Sequence, residues 1–200
     1  MSKPKILVIT GTVRQGRAGL SIANWFLEEA KKTTDKADFE LLDIATLDLP
    51  LFDAPAPPMY GHYNDLQKKV AELIGPADGF VIVTGEYNYS IPGALKNFLD
   101  YVFAEWRRKP VSFVGYGGAG GVRAIAHLVN VVSELGAVPL TGAGISSHVN
   151  QPWAAFDEEG NLKPEQIDNK VESQLNELLW YTQTLKEARE AKSSAPDYTG

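Results

Sequence analysis

The segment GFVIVTGEYNYSIPGALKNFLDYV, residues 79–102, runs from an apolar stretch through a polar loop into a helical pattern. Gly79-Phe80-Val81-Ile82-Val83 is apolar and β-branched almost throughout, the pattern of a strand covered on both sides. Beyond the loop, Leu95, Phe98, Leu99 and Val102 recur at helical spacing and form one stripe. Pro92 suits the first turn of that helix, where the missing N–H would have no intrahelical partner anyway. A strand followed by a helix is part of a βαβ unit, so a repeat of this pattern predicts a parallel sheet.

The pattern does repeat. Upstream lie Ile6-Leu7-Val8-Ile9, the stripe Ile22, Ala23, Phe26, Leu27 and Ala30, the run Phe39 to Ile44, and the stripe Leu66, Val70, Leu73 and Ile74. Downstream lie Val111-Ser112-Phe113-Val114, the stripe Ile125, Leu128, Val129, Val132 and Leu135, and Val138-Pro139-Leu140-Thr141. A last helix runs from about Pro164 through Val171, Leu175 and Leu178 towards Ala191. Five alternations predict a doubly wound α/β domain with helices on both faces of the sheet. Ligands of such sheets bind at the carboxyl ends of the strands. Residues 1–192 read as a single domain and residues 193–200 as a disordered tail. The proline-rich stretch 50–61 reads as a stiff loop that either rims the pocket or crosses the sheet edge.

Composition narrows the chemistry. The 200 residues include no cysteine, which excludes disulfides, thiolate metal sites and a cysteine nucleophile. Redox chemistry would therefore need a bound cofactor. A net charge of -6 argues against generic nucleic-acid binding. No apolar run is long enough to span a bilayer and no signal peptide is read, so a cytoplasmic protein is expected. His62, His127 and His148 show no metal-ligand spacing and read as ordinary polar residues or, for one of them, a pocket residue. Trp106-Arg107-Arg108-Lys109 reads as a solvated helix end or as an attractor for the phosphates of a nucleotide.

Three loops at expected strand ends hold the polar and glycine-rich residues. The first, Thr10 to Ser21, has Gly11, Gly16 and Gly19, hydroxyls on Thr12 and Ser21, and the cations Arg14 and Arg17. Glycines let a ligand approach the backbone, amides at a helix start favour an anion, and arginine supplies paired charged donors. The Gly-Lys-Ser/Thr ending of a triphosphate loop is missing, so a monophosphate is the simplest ligand. The second loop, Thr84 to Gly93, offers Tyr87 as an aromatic wall and Asn88 as a polar group for a planar heteroaromatic ring; alternatively its tyrosines plug the helix–sheet seam. The third, Gly115-Tyr116-Gly117-Gly118-Ala119-Gly120-Gly121, suits a backbone platform beside a flat ring. It also matches G-x-G-x-x-G, but it follows a late strand and no ribose-binding acid ends the next one, which leaves a dinucleotide dehydrogenase as the weaker reading.

Gly11-Thr12-Val13-Arg14-Gln15-Gly16-Arg17, the run Glu86 to Asp100, and Gly117 to Arg123 together resemble the NADPH-dependent FMN reductase family, which includes quinone, azo-dye and chromate reductases. The similarity covers roughly residues 5 to 185. The resemblance implies a flavodoxin-like fold with a five-stranded parallel sheet in the order 2-1-3-4-5. It implies bound FMN, with NADPH or NADH as electron donor, a quinone-like small acceptor and ping-pong hydride transfer in which the flavin, not a catalytic side chain, carries the chemistry. Thr12, Arg14 and Arg17, with Gly19, Leu20 and Ser21 at the helix start, would hold the phosphate. Gly85, Glu86, Tyr87, Asn88 and Ser90 would contact the ring, and Gly117, Gly118, Gly120 and Gly121 would lie by its far edge. A homodimer or homotetramer is implied, with no nucleic acid, membrane or metal. Gly85 stands where the family commonly has proline. A flavodoxin-like electron carrier and a non-enzymatic flavin-binding interaction module are the alternatives.

Overall fold

The computed structural model describes residues 3–191; the tail assigned to residues 193–200 lies outside them. The apolar runs become β1 (Lys5–Thr10), β2 (Asp38–Asp43), β3 (Gly79–Gly85) and β4 (Pro110–Gly117). The helical stripes become α1 (Gly19–Thr33), α2 (Asp65–Ile74), α3 (Gly93–Asp100), α4 (Val122–Glu134) and α5 (Val171–Glu190). Successive strand residues point to opposite faces, and the strands divide accordingly. Ile6, Val8, Val81, Val83 and Val114 pack beneath α1 and α5. Leu7, Ile9, Phe80, Ile82, Val111 and Phe113 pack against α2, α3 and α4. Each fully buried side chain of this size contributes roughly 1.5–3 kcal/mol, which is why the central strands carry hardly a polar residue.

β1 pairs in parallel with β2 and β3, and β3 with β4, giving the order 2-1-3-4 of a flavodoxin-like sheet. The next position is filled by two short strands. β5 (Val138–Pro139) pairs with Pro110 and Val111, and β6 (Ser146–Asn150) pairs with Phe113 to Gly117, both parallel to β4. The sequence reading placed one strand at Val138–Thr141. Pro139 has no N–H to extend a ladder, and Gly142 and Gly144, at φ of 151° and 79°, carry the chain away before it returns. β7 (Ile167–Asp168) then adds an antiparallel edge to β6.

Helix limits follow local chemistry. Asn64 and Gln67 form a reciprocal capping box at the start of α2, with N–H···O distances of 2.9 and 3.0 Å. Pro164 starts only a single 3-10 turn, and α5 begins at Val171. The Trp106–Lys109 segment is neither a solvated helix end nor near the strand C-termini. It precedes β4, with Trp106 fully buried against Phe80 and Phe98. Lys109 is also buried there and donates to the Gly75 carbonyl at 2.7 Å. Its aliphatic stem and the indole are apolar enough to be drawn inside, which a count of charges does not register.

Candidate functional site

α1 starts without a side-chain cap. Its first helical amide bond runs from Ile22 to the Ala18 carbonyl at 3.0 Å, so the N–H groups of Gly19, Leu20 and Ser21 have no helical acceptor. They begin the helix that follows β1, and Gly16, at φ 65°, turns the intervening loop. Arg14, Arg17, Tyr87, Tyr116 and Trp153 line a cavity of about 160 Å³ at this end of the sheet.

The two arginines differ. Arg14 is exposed, with its guanidinium 5.9 Å from the Tyr87 ring centre. Arg17 is paired with Asp43 at the end of β2, whose other oxygen accepts from Thr10 Oγ1 at 2.8 Å and from the Ala45 amide at 3.1 Å. Arg17 Nε is buried and has no acceptor among the described residues. One side of this guanidinium therefore fastens β2 to the first loop, while the other holds a donor in reserve. Ser21 is different again: its side chain faces a separate groove of about 510 Å³ beside Trp25, Phe156 and Asn161, so only its amide belongs to the helix start.

The second loop is a tight reversal. Tyr87 and Ser90 exchange both backbone hydrogen bonds, at 2.9 and 3.0 Å, with Asn88 and Tyr89 at φ of 48° and 73° between them. Two consecutive left-handed non-glycine residues are costly and need support from their surroundings. Ser90 Oγ meets His127 Nδ1 at 2.9 Å, and the Arg123 guanidinium lies 4.5 Å over the Tyr89 ring. Glu86 is committed to the protein: its carboxylate accepts the Arg123 amide at 3.1 Å and pairs with the Arg123 guanidinium, while its own N–H donates to Tyr116 O at 3.0 Å. Burial pushes this carboxyl up, but the Arg123 hydrogen bonds and charge outweigh burial and hold it below the usual carboxylate range. Glu86 thus ties the second loop to α4. Tyr87 is left lining the cavity, and Asn88 is exposed at the tip of the turn.

The glycines of the third loop divide by cause. Gly121 is left-handed at φ 73°, and a Cβ there would lie 2.6 Å from the Tyr116 nitrogen, so its own backbone requires glycine. Gly120, at φ 64°, is held by His148, whose Nδ1 meets its carbonyl at 2.8 Å while Nε2 meets Ser146 Oγ at 3.0 Å. Gly117 backs onto the Glu86 side chain. Gly118 is exposed, and the only atom near its absent side chain is on the Trp153 indole, at 3.7 Å. Gly85 has a comparable internal reason: a Cβ would sit 2.9 Å from the Tyr116 ring, which accounts for glycine in place of the family's proline.

Sequence reasoning missed the parts played by Tyr116, Arg123, His127 and His148, while Trp153, which the sequence leaves between shielding the site and packing the long connection, lines the cavity. Tyr116 occupied a variable position of a glycine motif, and the loop contacts of Arg123, His127 and His148 reach 28 to 37 residues along the chain, beyond any local pattern. The residues present suit a phosphorylated planar cofactor. Uncapped amides, Arg14 and the orphaned Arg17 Nε supply anion donors at one end; Tyr87 and the exposed Gly118 leave room for a flat ring at the other. Among the described residues no cluster of potential metal ligands occurs, and no helix is long and apolar enough to cross a membrane.

The profile of the NADPH-dependent FMN reductase family matches residues 4–151. An NAD(P)H-dependent FMN reductase of Schizosaccharomyces pombe is 40% identical over 135 residues, covering 66% of this chain and 67% of that one. A quinone reductase of Escherichia coli K12 is 30% identical over 172 residues, covering 80% and 88%. Among solved structures, a flavoenzyme NAD(P)H:(acceptor) oxidoreductase of Paracoccus denitrificans shares the fold with a TM-score of 0.62 at 19% identity, covering 94% of this chain and 98% of that one. The family match spans all three loops described above, and the chain belongs to the NADPH-dependent FMN reductase family.

Proposed function

We propose that this chain is an NAD(P)H-dependent reductase that holds FMN by its phosphate at the start of α1 and delivers electrons to small, quinone-like acceptors. The carrying observation is one cavity lined by Arg14, by Arg17 with its unpartnered Nε, and by Ala18, the residue that directly precedes the three uncapped amides of α1. When bound, the flavin supplies hydride acceptance from NAD(P)H and electron delivery to the acceptor.

The protein's part is binding and orientation. The amides of Gly19, Leu20 and Ser21 and the helix dipole favour the phosphate dianion, and Arg14 adds a mobile charged donor. Arg17 stays fastened to Asp43 and adds its Nε. Tyr87, Asn88 and the backbone at Gly117 and Gly118 flank the ring, and the Glu86–Arg123 and Ser90–His127 contacts hold these loops in register with α4. Gly85, Gly120 and Gly121 serve the same end by allowing the backbone to close on itself. The quinone reductase relative supports a quinone-like acceptor. A homodimer or homotetramer completes the reading.

The test is the visible absorption spectrum of the purified protein before and after anaerobic addition of NADPH. Flavin peaks that bleach are the expected result. Peaks that persist would favour an electron carrier or a binding module, and no flavin uptake after soaking with FMN would overturn the reading of all three loops.

A further inference from the structure

Tyr116 is the last residue but one of β4, with its side chain on the α1 side of the sheet, 5% exposed. Its hydroxyl lies 2.8 Å from Thr12 Oγ1, a residue 104 positions away that is itself fully buried. The chain has made space for this pair twice. A Cβ on Gly19 would fall 2.5 Å from Thr12 Oγ1 and 2.6 Å from the Tyr116 hydroxyl, and a Cβ on Gly85 would meet the Tyr116 ring. The same ring lines the cavity shared by Arg14 and Arg17. Burial pushes the Tyr116 hydroxyl up to about 12, so it keeps its proton at any working pH.

Two hydroxyls bring two protons, and their mutual hydrogen bond uses one. The other is left to donate elsewhere, strengthened because its oxygen is tied to the first bond. Gly19, the first residue of α1 and the first uncapped amide, is packed against both oxygens. We propose that Tyr116 is a positioning residue for the phosphate end of the cofactor: it fixes Thr12 Oγ1 and directs the spare proton of the pair at the phosphate, so that the site prefers FMN to riboflavin. This rests on the proposed phosphate cradle at α1.

The test compares dissociation constants for FMN and riboflavin, by quenching of flavin fluorescence, in the wild type and in Tyr116→Phe, Thr12→Ala, Thr12→Ser and the Tyr116→Phe/Thr12→Ala double variant. Tyr116→Phe keeps the ring against Gly85 and removes only the hydroxyl. It is expected to weaken FMN about 10–150-fold, the scale of one hydrogen bond to a charged group, and riboflavin less than about twofold. Thr12→Ala should do the same, Thr12→Ser should restore the preference, and the double variant should lose little beyond either single one. A wild type that prefers FMN beside a Tyr116→Phe variant with an unchanged FMN-to-riboflavin ratio would overturn the role of Tyr116 alone. A wild type that binds both flavins equally would overturn the phosphate cradle and this proposal with it.

Discussion

At the N-terminal end of the sheet, the Asp78 carboxylate accepts from the Lys5 amide at 3.1 Å, from Lys186 Nζ at 2.8 Å and from Arg189 at 3.1 Å. At the C-terminal end, three amides at the start of α1 and the Nε atoms of Arg17 and Arg123 have no acceptor among the described residues. The two ends belong to the same strands and differ in how charge is settled. The Asp78 cluster closes the bottom of the fold and joins the last helix to β1 and β3, with cations in the final turns of α5 where the helix dipole favours them. The top keeps donors unpaired, which costs stability and leaves capacity for an anion.

Substitutions at each end should separate these roles. Asp78→Asn takes the negative charge and one acceptor oxygen away from two partly buried cations and should cost about 3 kcal/mol in urea unfolding, with flavin binding unchanged once folded. Burial raises the Asp78 carboxyl, yet the Lys186 hydrogen bond, the Lys5 amide and both cations hold it below its ordinary value. Its contribution is therefore present above the unfolded-state value near pH 4 and is lost as pH falls through the lower folded-state value. Unfolding measured from pH 6 down to pH 2 should show that loss in the wild type and not in the variant.

Gly19→Ala attacks the other end. The new methyl would press on Thr12 and Tyr116, and overpacking of this kind costs about 1–3 kcal/mol, here expected mainly in FMN affinity. Unchanged affinity would mean that the helix start is more yielding than its packing indicates. Arg14→Ala should weaken FMN by about 1–3 kcal/mol in a binding titration, the scale of a charged hydrogen bond, and leave the unfolding midpoint nearly unmoved.

Lys109 tests the contrast from the same end as Asp78, because there burial opposes the charged form of a cation. Burial pushes its ammonium down to about 8, against an unfolded value of about 10.4. Above both values the group is neutral in either state. As pH falls from about 10.4 to 8, the unfolded chain takes up the proton first and stability declines. Wild-type stability should therefore rise by roughly 1–2 kcal/mol from pH 8 to 10 relative to Lys109→Met, measured by urea unfolding of both proteins. The smallest effect belongs to Ser21→Ala, whose hydroxyl faces away from the cavity. FMN affinity should change by less than about 0.5 kcal/mol, and a loss as large as that of Arg14→Ala would place this hydroxyl in the cradle after all.

The strand–helix alternation, the three loops and the absence of any cysteine chemistry were legible in the chain, because strand burial, helical periodicity and helix starts are local properties of composition and spacing. The split after β4 was not, since a two-residue strand at Val138–Pro139 and the polar strand Ser146–Asn150 carry too little apolar pattern to read. Nor was the division of labour among the site residues. Arg14 and Arg17 look equivalent in sequence, and only the approach of Asp43 from β2 makes one a strap and leaves the other free. The glycines at 85, 19 and 121 read as openings for a ligand, whereas each is held at its size by Tyr116, through its ring, its hydroxyl or its backbone nitrogen. Sequence by itself determined the first four strands, the helices between them and the loops at the strand ends. Tertiary structure decided which donors stay unpaired there, because hydrogen-bond partners and steric limits are set by residues far apart in the chain that only the sheet brings together.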